Sequence, residues 1–178
     1  IVFSSYLFHH LGDQQAVLGY LWGHVADGGA LIVRSCDDGQ HVHYPPDDRM
    51  EWVVSVTDDI PGSSDRTHGR RLPVEMRELE PVPDDINLHT WNYSTAGCGR
   101  EGRVQYWDVF HSNRRHYAQQ VIDNSTDEDT IQVAEEMIEK MDALSEKFET
   151  RTDFIDMKTV PMAVAYKSTA ASSTTNES

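Results

Sequence analysis

Residues 1 to 33, IVFSSYLFHHLGDQQAVLGYLWGHVADGGALIV, constrain the fold more than any other part of this chain. They read as a strand, a polar turn, a helix, a Gly-Gly stop and a second strand, which is one parallel crossover unit. Val17, Leu18, Leu21, Trp22 and Val25 fall on one stripe at helical spacing. Asp13 is placed to cap that helix and Gly28-Gly29 to end it, so a helix over 13–26 is predicted. Ala30 to Val33 is a short, wholly apolar run of the kind a strand covered on both faces requires, and it should lie beside the opening strand. Ile1, Val2 and Phe3 form an apolar run with no cap or turn before them, so the chain is expected to open inside a buried strand, with sequence missing upstream.

A chain of 178 residues is long enough for one domain with a real core, or for a large part of a bigger one. No apolar run approaches the roughly 18 residues needed to span a bilayer, so no membrane segment is expected. The formal charge of -15 would repel a phosphate backbone, which argues against nucleic acid as partner. Cys36 and Cys98 belong to no C-x-x-C pair, so neither a disulfide framework nor a zinc site is suggested, and a reducing cytoplasm is the natural setting.

Further along, Asp48 and Glu51 mark the start of a helix over 47–58, which Pro61-Gly62 closes. A helix near 65–79 carries Leu72, Met76 and Leu79 inward, provided that Pro73 falls in its first turn. Residues 86–94 alternate as a strand. Val104, Trp107, Phe110, Arg114 and Tyr117 outline a helix near 103–121, and Ile131, Ala134, Met137, Ile138, Met141, Leu144 and Phe148 a helix over 127–149. Residues 154–158 and 162–167 are strand-like, with Pro161 between them making a hairpin-like return. Residues 168–178, STAASSTTNES, read as a disordered tail. The expected order is β α β α α β α α β, an α/β arrangement.

Four segments in this order resemble the class I S-adenosylmethionine-dependent methyltransferases, in the half that follows the cofactor-binding glycine loop. IVFSSYLFHHL is similar to the family's fourth strand and the helix start after it, DGGALIV to the entry to its fifth strand, SDRTHGRRLP to a segment before a substrate-side helix, and VPMAVAYK to its antiparallel seventh strand. The resemblance covers the chain to about residue 167. It implies a Rossmann-like three-layer sandwich, with a mostly parallel sheet, an antiparallel last strand and the N-terminal part missing. Residues 1–167 would be the C-terminal part of a methyltransferase domain. It implies S-adenosylmethionine as cofactor and methyl transfer to a small-molecule acceptor, with no nucleic acid or membrane partner. The family's acidic-x-G-x-G-x-G loop is absent from this sequence, so the chain alone should hold the cofactor poorly.

Ligands of open α/β sheets bind beyond the carboxyl ends of the strands. By the resemblance, Ser4, Ser5 and Tyr6 would therefore face the methionine part of the cofactor, or they would merely finish the strand. Of His9 and His10, one could face the acceptor as a base, with His10 the candidate on the substrate side, or one could pack and the other be solvated. Asp37 and Asp38 could bind a cationic acceptor or serve their own turn before Gly39. Arg66, Arg70 and Arg71 could clamp an acidic acceptor, Arg71 foremost, or pair with surface carboxylates. Trp91, Tyr93, Tyr106 and Trp107 could line an acceptor pocket or pack in the core. His41-x-His43 has strand-like ligand spacing but no third ligand near it in sequence, so no metal is assigned. The acidic residues Glu135, Glu136, Glu139 and Glu146 form a solvated helix face. An unpaired edge along residues 1–5 would favour association into homo-oligomers. The alternative to an enzyme is a non-catalytic binding or scaffold protein on the same fold. A hydrolase would need a G-x-S-x-G elbow, which the sequence lacks.

Overall fold

The computed structural model describes residues 1–62 and 64–169. The elements are β1 (Val2–Ser5), α1 (Gln14–Gly23), β2 (Ala30–Arg34), β3 (His41–Tyr44), α2 (Asp48–Val56) and α3 (Leu72–Glu75). They continue as β4 (Asp85–Ser94), α4 (Arg100–Phe110), α5 (Ser112–Asn124), α6 (Glu128–Thr150) and β5 (Ile155–Tyr166). They make two compact units. Among the described residues the first comprises Ile1–Cys36, Thr67–Trp91 and residues 160–169; the second comprises Asp37–Arg66 and Asn92–Thr159.

In the first unit β1 lies parallel to β2, Phe3 opposite Ile32, and α1 makes the crossover. The Asp13 carboxylate accepts the Ala16 N–H at 2.9 Å, satisfying one of the orphan donors of the first turn. The predicted stripe faces inward: Leu18 and Trp22 are fully buried, Val25 nearly so, and Val17 and Leu21 pack partly buried beside them. Each such side chain contributes about 1.5–3 kcal/mol by leaving water. The Trp22 indole N–H donates to the Pro81 carbonyl at 2.7 Å.

The last strand is antiparallel to its neighbour, as expected: Ile32 of β2 faces Val164 of β5. Gly28, with φ +72°, donates to the Lys167 and Ser168 carbonyls, and the Lys167 N–H donates to the Gly29 carbonyl, fastening the end of β5 to the start of β2. Residues 155–166 form one strand, which corrects the expected return at Pro161. The rungs to β2 begin at Met162 and those to β3 end at Lys158, so Pro161 sits where neither ladder uses the N–H it lacks.

The helix expected near 65–79 is reduced to α3, flanked by single 3-10 turns at His68–Arg70 and Met76–Glu78. Leu72, Met76 and Leu79 nonetheless point into the core, and Pro73 does fall in the first turn of α3. A close approach breaks the longer helix. The Gly69 N–H donates to the Cys36 carbonyl at 2.8 Å, and a Cβ on Gly69 would lie 2.7 Å from that oxygen.

The second unit holds a strand the sequence reading did not assign, β3, antiparallel to β5 with His41 opposite Lys158. α2 is capped by Asp47 rather than Asp48, its carboxylate accepting the Arg49 N–H at 3.0 Å and binding Arg49 and Lys147. α6 follows its predicted seam, burying Ala134, Met137, Met141, Leu144 and Phe148 against α2, α4 and α5. The Asp127 carboxylate caps it. The single helix expected near 103–121 is two helices broken at His111, whose φ of -124° leaves the helical region while its ring turns inward to a buried carboxylate. Most of the tail reading falls on residues 170–178, outside the described residues.

Candidate functional site

The carboxyl ends of β1 and β2 carry the first neighbourhood of polar groups. Ser4 is buried, and its Oγ has no hydrogen-bond partner among the described residues. The Ser5 hydroxyl accepts from Arg34 Nε at 2.9 Å. Tyr6 ends the strand at φ +53°, a left-handed conformation that costs a non-glycine residue about 1 kcal/mol or more. Its N–H is held by the Arg34 carbonyl, and the Arg34 guanidinium lies 4.8 Å from the Tyr6 ring and 5.2 Å from that of Trp91. In the 3-10 turn that follows, His9 is buried and His10 exposed, their rings 4.0 Å apart.

Arg71 belongs to the same unit and is exposed. It donates to Glu75 at 3.2 Å and to the Gln14 side chain at 3.0 Å. Glu75 also binds His68 Nε2 at 2.9 Å, and His68 Nδ1 lies 3.0 Å from Ser35 Oγ. A serine, imidazole and carboxylate thus stand in line, but Ser35 and His68 are both fully buried and no reacting group can reach the hydroxyl. This line is a polar strut joining the end of β2 to the start of α3.

Asp37 lies in the second unit. It is buried and serves its own turn, accepting from Gly39 N at 3.1 Å and Gln40 Nε2 at 2.8 Å. Its neighbour Asp38 is the centre of a buried cluster of Arg66 at 2.9 Å, Arg114 and Lys158. Burial alone would raise the Asp38 carboxyl, but the charges of Arg114, Lys158 and Arg66 hold it well below the usual range. Tyr106 and Trp107 pack on Phe148 in the core of this unit.

Beside that cluster Asp156 is gripped by two histidines. His41 Nε2 donates to Oδ1, and His111 Nε2 donates to Oδ2 at 2.9 Å. Burial would raise this carboxyl, but the hydrogen bonds from His111 and His41 hold it well below its ordinary value. The donor atoms of His41, His111 and Asp156 lie within 4.8 Å of one another, a spacing that suits a divalent metal. The hydrogen bonding assigns them otherwise. Arg114 Nη1 donates to His111 Nδ1 at 3.0 Å, so Nδ1 keeps its lone pair and Nε2 carries the proton that Asp156 accepts. A metal on Nε2 would force a proton onto Nδ1 against a guanidinium that can only donate. The three residues form a hydrogen-bonded relay.

Sequence reasoning flagged His41 but not its partners. Arg114 had shown one signal, a charged residue on the apolar stripe of a helix, and Lys158 another, a cation within a strand-like run.

No family model matches this sequence, and no curated protein matches it. Among solved structures, phospholethanolamine N-methyltransferase 2 of Haemonchus contortus, in complex with phosphomonomethylethanolamine and S-adenosylhomocysteine, is 9% identical with a TM-score of 0.40, over 94% of this chain and 33% of that one. Coclaurine N-methyltransferase bound to N-methylheliamine and S-adenosylhomocysteine is 14% identical with a TM-score of 0.35, over 92% of this chain and 46% of that one. The chain spans about a third and somewhat under half of the lengths of these two proteins.

Proposed function

We propose that this chain is the carboxyl-terminal part of an S-adenosylmethionine-dependent methyltransferase acting on a small-molecule acceptor. One observation carries the reading. The segments that resemble the family's fourth, fifth and seventh strands are neighbours in that order, the first pair parallel and the last strand antiparallel, with Phe3 opposite Ile32 and Ile32 opposite Val164.

Only part of a cofactor site lies in this chain. The orphaned hydroxyl of Ser4, with Ser5 and Tyr6, fits the polar end of such a ligand, and these residues would face its methionine part. The missing glycine loop has to come from a longer polypeptide. Bound S-adenosylmethionine supplies a methyl group on a sulfonium, and the protein's task is to align the acceptor and exclude water. His10 and Arg71 are proposed on the acceptor side, where Arg71 reaches solvent and would bind an acidic group. A reducing cytoplasm is proposed as its setting, with neither cysteine in a disulfide, and association between copies is proposed at the outer edge of β1, which no strand among the described residues pairs.

Calorimetric titration of S-adenosylhomocysteine into the product of the complete reading frame tests this. Saturable heat supports the enzyme. No heat at millimolar ligand removes it and leaves the non-catalytic binding protein.

A further inference from the structure

The second unit contains a cleft of about 240 Å³ lined by Asp38, His41, His43, Glu51, Val54 and Ser55. A volume below the roughly 300–1,000 Å³ of sites for drug-sized ligands points to a small occupant. Its polar lining is rich in acceptors. His41 gives its Nε2 proton to Asp156, which leaves a lone pair on Nδ1, and among the described residues the His41 side chain makes no other hydrogen bond. The side chain of His43 is nine-tenths buried, yet among the described residues its Nε2 has no hydrogen-bond partner and stands 3.9 Å from the Glu51 carboxylate. Ser55 Oγ spends its proton on the Trp52 carbonyl, so its lone pairs remain.

The charge that the cleft leaves unmatched is that of Glu51, whose ion-pair neighbour among the described residues is His43 at 3.9 Å. Around the cleft Arg66, Arg114 and Lys158 are directed at the Asp38 carboxylate. The chain as a whole, at -15, draws cations toward it. No aromatic face other than the two imidazoles lines the cleft, so recognition has to work through hydrogen bonds rather than through an aromatic cage.

We propose that this cleft is a binding site for a small protonated amine, whose N–H groups are donated to His41 Nδ1 and to the Glu51 carboxylate. Asp156 is a positioning residue that fixes the His41 tautomer, and His111, locked by Arg114, holds Asp156 from its other side. This site does not depend on methyl transfer.

The test is titration of the whole chain with methylammonium chloride, followed through the imidazole nitrogen-15 signals, against tetramethylammonium chloride, which has the same charge and no N–H. Methylammonium should give saturable shifts at His41 and His43, tetramethylammonium none, and Glu51→Gln should weaken the binding by up to about fivefold, the value of an ion pair at so exposed a carboxylate. Glu51 is largely exposed, so the variant should fold. Equal responses to the two cations, no response to either, or unchanged binding in Glu51→Gln overturns the proposal. Free of any variant or ligand, the same spectra should show His41 with its proton on Nε2 at neutral pH; a proton on Nδ1 overturns it as well.

Discussion

Arg114 donates a hydrogen bond from Nη1 to His111 Nδ1 at 3.0 Å, and this contact fixes the protonation state of a fully buried imidazole. Burial pushes the His111 pKa down to about 3, against the pull of Asp156, whereas an unfolded histidine titrates near 6.5. Between those values the unfolded chain binds the extra proton, so stability rises with pH. The contribution is complete above about 6.5 and is lost as pH falls toward 3, at up to about 1.4 kcal/mol per pH unit. Asp156 adds a second loss in stronger acid: its folded pKa is depressed, so its contribution is present above about 3.9 and disappears as pH falls through the folded value. Urea unfolding of the wild type and His111→Asn between about pH 4 and 7 checks the first effect. The variant should show the shallower slope; equal slopes would mean that His111 is charged in the native protein.

The Asp38 cluster should behave quite unlike the surface ion pairs. Asp38→Asn leaves Arg66, Arg114 and Lys158 buried without their shared counter-charge, which should cost about 3–5 kcal/mol. Arg115→Ala removes an ion pair with Asp142 in which both side chains are about half exposed, and should cost less than about 1 kcal/mol. Denaturant midpoints of the two variants, measured side by side, test the contrast. Similar losses would show that the cluster is solvated.

These two sites differ in how visible they are in the sequence. α1 and α6 could be read directly because their information is local: Asp13 and Trp22, or Asp127 and Phe148, lie within one helix and repeat at its period. The parallel pairing of β1 with β2 followed from the length and polarity of the crossover. Asp156 was not legible, because what defines it is its approach to His41, 115 residues away, and to His111, 45 residues away. The break at His111 was hidden for the same reason: the stripe Val104, Trp107, Phe110, Arg114 continues through it, and only the buried carboxylate pulls the backbone out of line. Pro161 misled in the opposite direction. A proline stops a strand where a ladder needs its N–H, and periodicity alone does not reveal that neither ladder does.

Glycine substitutions separate close approach from mere flexibility. In Gly69→Ala the new Cβ would meet the Cys36 carbonyl oxygen at 2.7 Å and Pro161 Cγ at 3.0 Å, so the backbone has to shift, at about 1–3 kcal/mol. Gly19 lies inside α1 with nothing within 4 Å of its Cβ position, and Gly19→Ala should stabilise by about 0.5–1 kcal/mol through the lower entropy of the unfolded chain. Thermal unfolding of both variants gives shifts of opposite sign if this account is right. A neutral Gly69→Ala would mean that the turn at His68–Arg70 is looser than its hydrogen bond to Cys36 implies.

Ser4 ties stability to the proposed activity. Its hydroxyl is buried and unpaired, and an unsatisfied buried polar group costs about 1–3 kcal/mol, so Ser4→Ala should leave this chain as stable or up to about 1 kcal/mol more stable. In the complete protein the same change should weaken S-adenosylhomocysteine by roughly the value of one hydrogen bond, about 0.5–1.5 kcal/mol, or up to about tenfold. A buried hydroxyl calls for a hydrogen-bond partner, and a bound water or the proposed ligand would supply one at Ser4. Unfolding curves read the first effect and calorimetry the second. A Ser4→Ala protein that loses more than about 1 kcal/mol would show that the hydroxyl already has a partner in the folded chain, and the case for a ligand at the end of β1 would go with it.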